Sequence, residues 1–263
     1  MKHEEYRCSL RGEVMPINYL DGRKVRKSVQ NLLAHFPVQA FIAREINDRL
    51  MQHQPEGFLS YDGVNLLQEY DWLMTEKQYL SYPDNNFDMV VAPLVPLWVR
   101  DLDDFFPEIL RVLKPGGVFL MATLGVDSLK ELRSSFAVVD DAKHVHRFYD
   151  MHDIGDKLFH GGFVHPVMDS ERLVLMYPEV SGLVQDLTQS GLRNSLVDQR
   201  KTCLTLQQWK RVCEVYKNNF SDASGYTATL EVIYGCAKKP YYEVKQMNQQ
   251  AEVSVFVRDI KIR

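Results

Sequence analysis

Two short apolar segments on either side of one amphipathic helix limit the fold of this chain more than any other feature. Residues 87–92 form an apolar run of the kind that is buried in a parallel sheet, and residues 118–123 form a second one. Between them, Asp101 can cap a helix that residues 115–117 end. The apolar stripe of this helix comprises Leu102, Phe105, Phe106, Ile109, Leu110 and Leu113. A strand, helix and strand in this order predict a right-handed parallel crossover and hence the α/β class.

The rest of the chain predicts helices and strands that complete such a sheet. Further helices are predicted over residues 21–35, 38–50, 128–136 with Asp127 as the cap, 151–160, 178–190 and 206–220. Later strands are predicted over residues 172–177 and 227–237, with an edge strand over 252–257 and a loop or weak strand over 52–63. We therefore expect a mostly parallel sheet with helices on both faces, which the two later strands join in antiparallel orientation at one edge.

Composition narrows the class of protein but not its activity. The chain has 31 basic and 35 acidic side chains, so no excess of positive charge indicates nucleic acid as a partner. No apolar run is long enough for a membrane-spanning helix. The four cysteines are far apart in the sequence, and we expect a reducing, cytoplasmic location.

The segments around and after the second apolar run resemble one enzyme family. They begin with Leu113-Lys114-Pro115-Gly116-Gly117 and continue through residues 123–133, 144–156, 162–169 and 186–194. Over residues 85–237 the chain resembles the malonyl-[acyl-carrier protein] O-methyltransferases, a family of class I methyltransferases. Residues 23–26 and 44–50 resemble the opening helices of that family. The resemblance implies a Rossmann-like class I methyltransferase sheet, a helical cap over residues 1–52, and an α/β domain over residues 53–263 with a helical lid around residues 127–220.

The resemblance also implies a reaction and its participants. In that family S-adenosylmethionine donates a methyl group to the free carboxyl of a malonyl thioester that acyl-carrier protein carries, a step of biotin synthesis. A carboxylate is already nucleophilic at neutral pH, so the reaction needs alignment and desolvation more than acid–base catalysis. A fixed guanidinium suits such a substrate, and Arg133 and Arg147 are the candidates for binding it. The alternative for each arginine is a surface ion pair with Glu131, Asp141 or Asp150.

The sequence departs from this family where the cofactor should bind. A class I methyltransferase places a glycine-rich turn after its first strand, but no G-x-G occurs between Leu50 and Asp88, and that segment is shorter than in the family. Residues 36–37 are Phe-Pro where the family has Tyr-Asp, and Pro93 and Leu97 replace a polar Asn and Gln. Glu76 aligns with the acid that contacts the adenine amino group, although a solvated glutamate is the alternative.

The first strand, its helix and the second strand are therefore predicted to be shortened or absent, and weakened or lost cofactor binding is expected. Two functions stay open. One is a methyltransferase with an unusual cofactor site, and the other is a non-catalytic interaction or assembly protein derived from the same family. Five histidines between residues 144 and 165 match no zinc pattern, so no metal site is predicted. His144 and His152 are interpreted instead as structural hydrogen-bonding groups.

Overall fold

A computed structural model describes residues 63–66, 79–189 and 204–241. Within these ranges six strands form one sheet in the order β1-β2-β3-β6-β4, and β5 pairs with β6. The strands are β1 (Gly63–Asn65), β2 (Phe87–Pro93), β3 (Leu113–Leu124), β4 (Val164–Tyr177), β5 (Ser221–Asp222) and β6 (Gly225–Lys238). Strands β1, β2 and β3 are parallel, while β6 lies antiparallel to β3, β4 and β5. The α/β class is confirmed, but the described sheet is mixed rather than mostly parallel.

The unit on which the sequence prediction rested is present. Helix α1 (Leu102–Val112) connects β2 to β3, and the Asp101 side chain caps it by accepting a hydrogen bond from the backbone N–H of Asp103 at 2.9 Å. Aromatic side chains of α1 pack on the sheet, where the Phe119 ring lies 6.2 Å from Phe105 and 6.1 Å from Phe106. The helix ends at Val112, before the predicted stop at residues 115–117, and β3 begins at Leu113.

Helices cover both faces of the sheet, as predicted. The further helices are α2 (Lys130–Ala137), α3 (Met151–His160), α4 (Val180–Gln189) and α5 (Leu206–Phe220). Tyr177 of β4 pairs with Tyr226 of the neighbouring strand β6, so their side chains lie on the same face of the sheet. Thr229 lies three residues after Tyr226 in β6, and its side chain therefore lies on the opposite face. The Tyr177 hydroxyl bonds Asp186 of α4, and the Thr229 hydroxyl bonds Glu131 of α2. The two helices thus contact opposite faces.

The helix predicted over residues 128–136 begins later, and Asp127 does not cap it. Leu129 stands at the N-cap position with a left-handed φ of 55°. Ser128 exchanges hydrogen bonds with the backbone of Glu231, and the N–H of Leu129 donates to the carbonyl of Thr229. These bonds to β6 hold the chain in a turn and delay the helix, while the Asp127 carboxylate pairs with Arg172 at 2.6 Å.

The first strand is shortened but present. Gly63–Asn65 pairs in parallel with β2, and the N–H of Leu66 extends the ladder by donating to Val91 at 2.9 Å. The prediction that the N-terminal part of the sheet is shortened is therefore confirmed at these residues. The predicted helical cap over residues 1–52, Glu76, residues 36–37 and the strand over 252–257 lie outside the described residues. No helix in the described ranges is both long and apolar enough to cross a membrane.

Candidate functional site

The carboxyl ends of the three parallel strands lie at the same edge of the sheet, the edge at which open α/β sheets bind their ligands. Two buried leucines turn the chain there. Leu94 follows β2 with a φ of 59°, and Leu129 lies five residues after β3 with a φ of 55°. A left-handed backbone is unfavourable for leucine, and such residues concentrate at functional sites. The residues around these two turns are therefore candidates for a functional site.

A cavity of about 560 Å³ lies beside the end of β3. It is lined by Val126, Arg133, Phe136, Asp153 and residues 137 and 140–150. An isolated parallel bridge between Gly125 and Tyr149 holds the end of this loop against the continuation of β3. The cavity therefore brings Arg133 and Arg147, the two arginines predicted from the sequence, into one lining.

Arg133 is held by the turn that precedes its helix. Its guanidinium donates hydrogen bonds to the carbonyl of Val126 at 3.0 Å and to the carbonyl of Ser128 at 3.2 Å. Desolvation lowers the pKa of Arg133, and the nearby Asp127 carboxylate opposes that shift. The anticipated pairing with Glu131 is absent because that buried carboxylate bonds Thr229 instead. A guanidinium has five N–H donors, so Arg133 keeps donors beyond those that the turn uses.

Arg147 has a different environment. It is exposed, and within the described ranges it makes no hydrogen bond or ion pair. The nearby Asp150 carboxylate is engaged elsewhere, since it caps α3 by accepting from the N–H of His152 at 2.8 Å and pairs with the His152 ring at 2.9 Å. Arg147 thus presents a charged group at the cavity without a carboxylate partner in the described part of the chain.

His146 lines the same cavity but was not chosen from the sequence as a site residue. It is only 5% exposed, and its ring lies 6.3 Å from that of Trp98 and 5.7 Å from that of Phe148. Its Nδ1 atom has no hydrogen-bond partner. Burial lowers the pKa of His146 to about 4, and its hydrogen bond to the Leu97 backbone opposes that shift only in part. The imidazole is therefore neutral near pH 7.

Tyr149 adds a neutral donor to the lining. Burial raises the pKa of Tyr149 to about 12, and the carboxylates of Asp101 and Asp103 at the start of α1 add to the effect. The phenol therefore keeps its proton at neutral pH. The sequence resemblance included this residue, but no local pattern distinguished it from a tyrosine packed in the core.

The other histidines of this region serve separate partners. His144 lies 2.7 Å from the Asp140 carboxylate and stacks on Phe136, and His152 bonds Asp150, so both are structural groups as interpreted. His160 bonds the backbone carbonyl of Asp156 at 2.7 Å. In the described part of the chain, no three histidine, cysteine or acidic side chains converge as a metal site would require.

The end of β2 is apolar where a cofactor with polar groups would bind. Pro93 is buried, and all of residues 94–99 are buried, with the indole N–H of Trp98 as their sole polar side-chain group. The chain has no glycine between Gly63 and Gly116, so the sequence after β1 lacks the glycine-rich motif of the family. S-adenosylmethionine carries charged and hydroxyl groups, and the described residues at these two strand ends do not fit it.

Comparison with known proteins agrees with the fold. A family profile described as "Methyltransferase domain" matches residues 56–121. A malonyl-[acyl-carrier protein] O-methyltransferase of Coxiella burnetii is 44% identical over 63% of this chain and 58% of its own length. The corresponding protein of Gallionella capsiferriformans is also 44% identical, over 59% of this chain and 53% of its own. The chain is homologous to the malonyl-[acyl-carrier protein] O-methyltransferases. It spans little more than half the length of these two methyltransferases.

The profile match includes the short first strand. It begins at residue 56 and therefore covers the segment that carries β1. Among solved structures, a methyltransferase from Bacillus halodurans C-125 aligns with 63% of this chain and 70% of its own. Its identity is 15% and its TM-score is 0.41, so the superposition is too partial to support an argument.

Proposed function

We propose that this chain acts on a malonyl group carried as a thioester by acyl-carrier protein, the substrate in the names of its relatives, and that its methyl donor is S-adenosylmethionine, which it holds weakly. The observation that carries the proposal is the shared cavity of Arg133 and Arg147 at the carboxyl edge of the sheet. The sequence predicts both arginines as candidates for binding a carboxylate. Their common lining supports one substrate site rather than two surface residues.

The chemistry of the lining supports a small acid with an apolar body. Phe136, Val145 and Phe148 supply apolar surface, and the two guanidinium groups supply positive charge. Four aspartates and one lysine also line the cavity: Asp140, Asp141, Asp150, Asp153 and Lys143. Hydrogen bonds occupy the carboxylates of Asp140 and Asp150. Asp140 accepts from the N–H of Ala142 at 2.9 Å and contacts His144, and Asp150 caps α3. Arg147 is therefore the better candidate for the carboxylate of the substrate, and Arg133 would act beside it through its remaining donors.

Weak cofactor binding follows from the apolar end of β2 and from the lack of a glycine after β1. The buried Pro93 and Leu97 supply no side-chain hydrogen bond to a cofactor, and no glycine lets a ligand approach the backbone after β1. S-adenosylmethionine supplies the methyl group when it is bound.

The proposal is tested with two carrier-protein substrates that differ in one group. Malonyl-acyl-carrier protein has a free carboxylate and acetyl-acyl-carrier protein lacks it. With S-adenosylmethionine at millimolar concentration, we expect methyl ester formation on the malonyl substrate alone. Binding of both substrates is measured separately without the cofactor. Equal affinity for the malonyl and acetyl forms would contradict the proposed carboxylate site.

A non-catalytic interaction protein is the second candidate, and the poor fit of the cofactor favours it. This alternative predicts that malonyl-acyl-carrier protein binds through the same cavity but that no ester forms even with saturating S-adenosylmethionine. The binding and transfer measurements together distinguish the two functions, because only the enzyme gives both signals.

A further inference from the structure

The Tyr149 hydroxyl is a hydrogen-bond donor of the cavity lining that the proposed carboxylate site does not use. The ring packs against the hydrophobic core, while the residue as a whole stays partly exposed. Among the described residues, no group accepts a hydrogen bond from this hydroxyl. The backbone of Tyr149 is fixed by its bridge to Gly125, directly after β3. A ring held in this way, with an available hydroxyl, is suited to bind a ligand in the cavity.

Tyr149 and Arg147 lie on the same side of their loop. Along residues 146–149 buried and accessible positions alternate, since His146 and Phe148 are buried, Arg147 is exposed and Tyr149 is partly exposed. Alternate side chains of an extended segment lie on one side. The positive charge of Arg147 also lowers the pKa of Tyr149, against the larger rise that burial causes, so the guanidinium lies near the hydroxyl. One ligand can therefore contact both side chains.

The charges around the Tyr149 hydroxyl favour a neutral acceptor. The carboxylates of Asp101, Asp103 and Asp153 all raise the pKa of Tyr149, so these negative charges lie near the phenol. They would repel an anionic acceptor at the hydroxyl more strongly than a neutral carbonyl oxygen. The pKa of Tyr149 is about 12, so the phenol keeps its proton at neutral pH and remains a donor.

A malonyl thioester contains an anionic and a neutral acceptor. Its carboxylate is ionised at neutral pH, its thioester carbonyl is uncharged, and one methylene group separates the two. We propose that the Tyr149 hydroxyl donates a hydrogen bond to the thioester carbonyl of the malonyl group while Arg147 binds its carboxylate. This inference rests on the proposed function. It makes Tyr149 a specificity residue, because an acid that lacks the carbonyl leaves the hydroxyl without an acceptor.

Two small ligands that differ only at the carbonyl test this contact on the full chain. One is malonyl-N-acetylcysteamine, a thioester, and the other is S-(2-carboxyethyl)-N-acetylcysteamine, a thioether in which a methylene group replaces the carbonyl. Calorimetric titration without cofactor gives the dissociation constant of each ligand. We expect Tyr149→Phe to reduce the preference for the thioester over the thioether roughly 2- to 12-fold, the range for one neutral hydrogen bond. A change in ring packing would instead weaken binding of both ligands and leave their ratio unchanged.

Two further variants separate this contact from the carboxylate site. Tyr177→Phe is the matched control and should keep the wild-type ratio, because the Tyr177 hydroxyl bonds Asp186 and the residue lies outside the cavity lining. Arg147→Ala should weaken binding of both ligands by the same factor. An unchanged ratio in Tyr149→Phe would overturn the carbonyl contact and leave the carboxylate site intact. Failure of the wild-type protein to bind either ligand would overturn both the contact and the proposed function.

Discussion

Glu131 of α2 accepts hydrogen bonds from Thr229 through both of its carboxylate oxygens, at 3.1 Å from the backbone N–H and at 2.5 Å from the hydroxyl. Both residues are buried. The contact joins residues 98 positions apart and fixes the start of α2, which carries Arg133, against β6. The position of one predicted substrate ligand therefore depends on a carboxylate that the sequence suggested as its ion-pair partner.

Removing the hydroxyl from this contact should destabilise the fold. Thr229→Val keeps the shape of the side chain but leaves one buried carboxylate oxygen without its donor. We expect the free energy of unfolding to fall by about 1.5–3 kcal/mol, as measured by urea denaturation. Thr227→Val is the control, because that hydroxyl contacts only the Met176 sulfur at 3.7 Å. Equal losses in the two variants would show that Glu131 does not hold the helix through this bond.

Local patterns in the sequence correctly predicted the strands and helices that are determined by residues close together in the sequence. The strand over residues 87–92 and helix α1 follow from apolar periodicity and the Asp101 cap. The helix over residues 206–220 has the predicted bounds, and a capping box between Thr205 and Gln208 fixes its start. In each case the residues that determine the structure lie within a few positions of one another.

The errors arose where distant residues decide the structure. Asp127 has the chemistry of a cap, but hydrogen bonds from residues 125–129 to β6, about one hundred positions later, replace the helical turn. Distant residues also determine the structure of the candidate site. Arg133 and Arg147 were predicted through family resemblance, whereas the burial of His146 depends on packing against Trp98, a distant residue that leaves no local pattern in the sequence.

Arg147→Ala should weaken binding of a malonyl thioester without affecting stability. The side chain is exposed and bonds no described residue, so its loss removes a ligand contact and little else. A hydrogen bond to a charged group is worth about 1.5–3 kcal/mol, which corresponds to roughly 10- to 150-fold in Kd. Arg172→Ala is the matched control, because Arg172 pairs with Asp127 outside the cavity lining.

Arg133→Ala should weaken both the binding of a malonyl thioester and the stability of the fold. Its guanidinium bonds the carbonyls of Val126 and Ser128, so truncation loosens the turn before α2 in addition to removing a charge from the cavity. We expect a lower free energy of unfolding for Arg133→Ala than for Arg147→Ala in urea denaturation. If the two variants were equally stable, the bonds from Arg133 to the turn would contribute nothing measurable.

S-adenosylmethionine should bind the isolated chain in the millimolar range or more weakly. The glycine turn is absent, and two polar residues of the family are replaced by the buried Pro93 and Leu97. Each lost neutral hydrogen bond costs about 0.5–1.5 kcal/mol, and every 1.4 kcal/mol is about tenfold in affinity. Calorimetric titration measures the constant directly. A low micromolar Kd would mean that residues outside the described ranges complete the pocket.

The stability of the protein should fall between about pH 6.5 and pH 4 in a manner that depends on His146. Its pKa in the folded state is about 4, below the ordinary value of 6.5, because burial disfavours the imidazolium. Between these values the unfolded chain binds a proton that the folded chain does not, so acid favours unfolding and stability rises again as the pH increases. The full difference is about 3 kcal/mol.

His146→Gln isolates this contribution, because the variant has no titrating group at the position while all carboxyl groups remain. Urea denaturation of both proteins at pH 4, 5, 6 and 7 gives the two pH profiles. We expect the wild-type protein to lose more stability on acidification than His146→Gln, with the difference developing below pH 6.5 and levelling off near pH 4. Parallel profiles would mean that the histidine is protonated equally in the folded and unfolded states. Its ring would then be solvated rather than enclosed by Trp98 and Phe148.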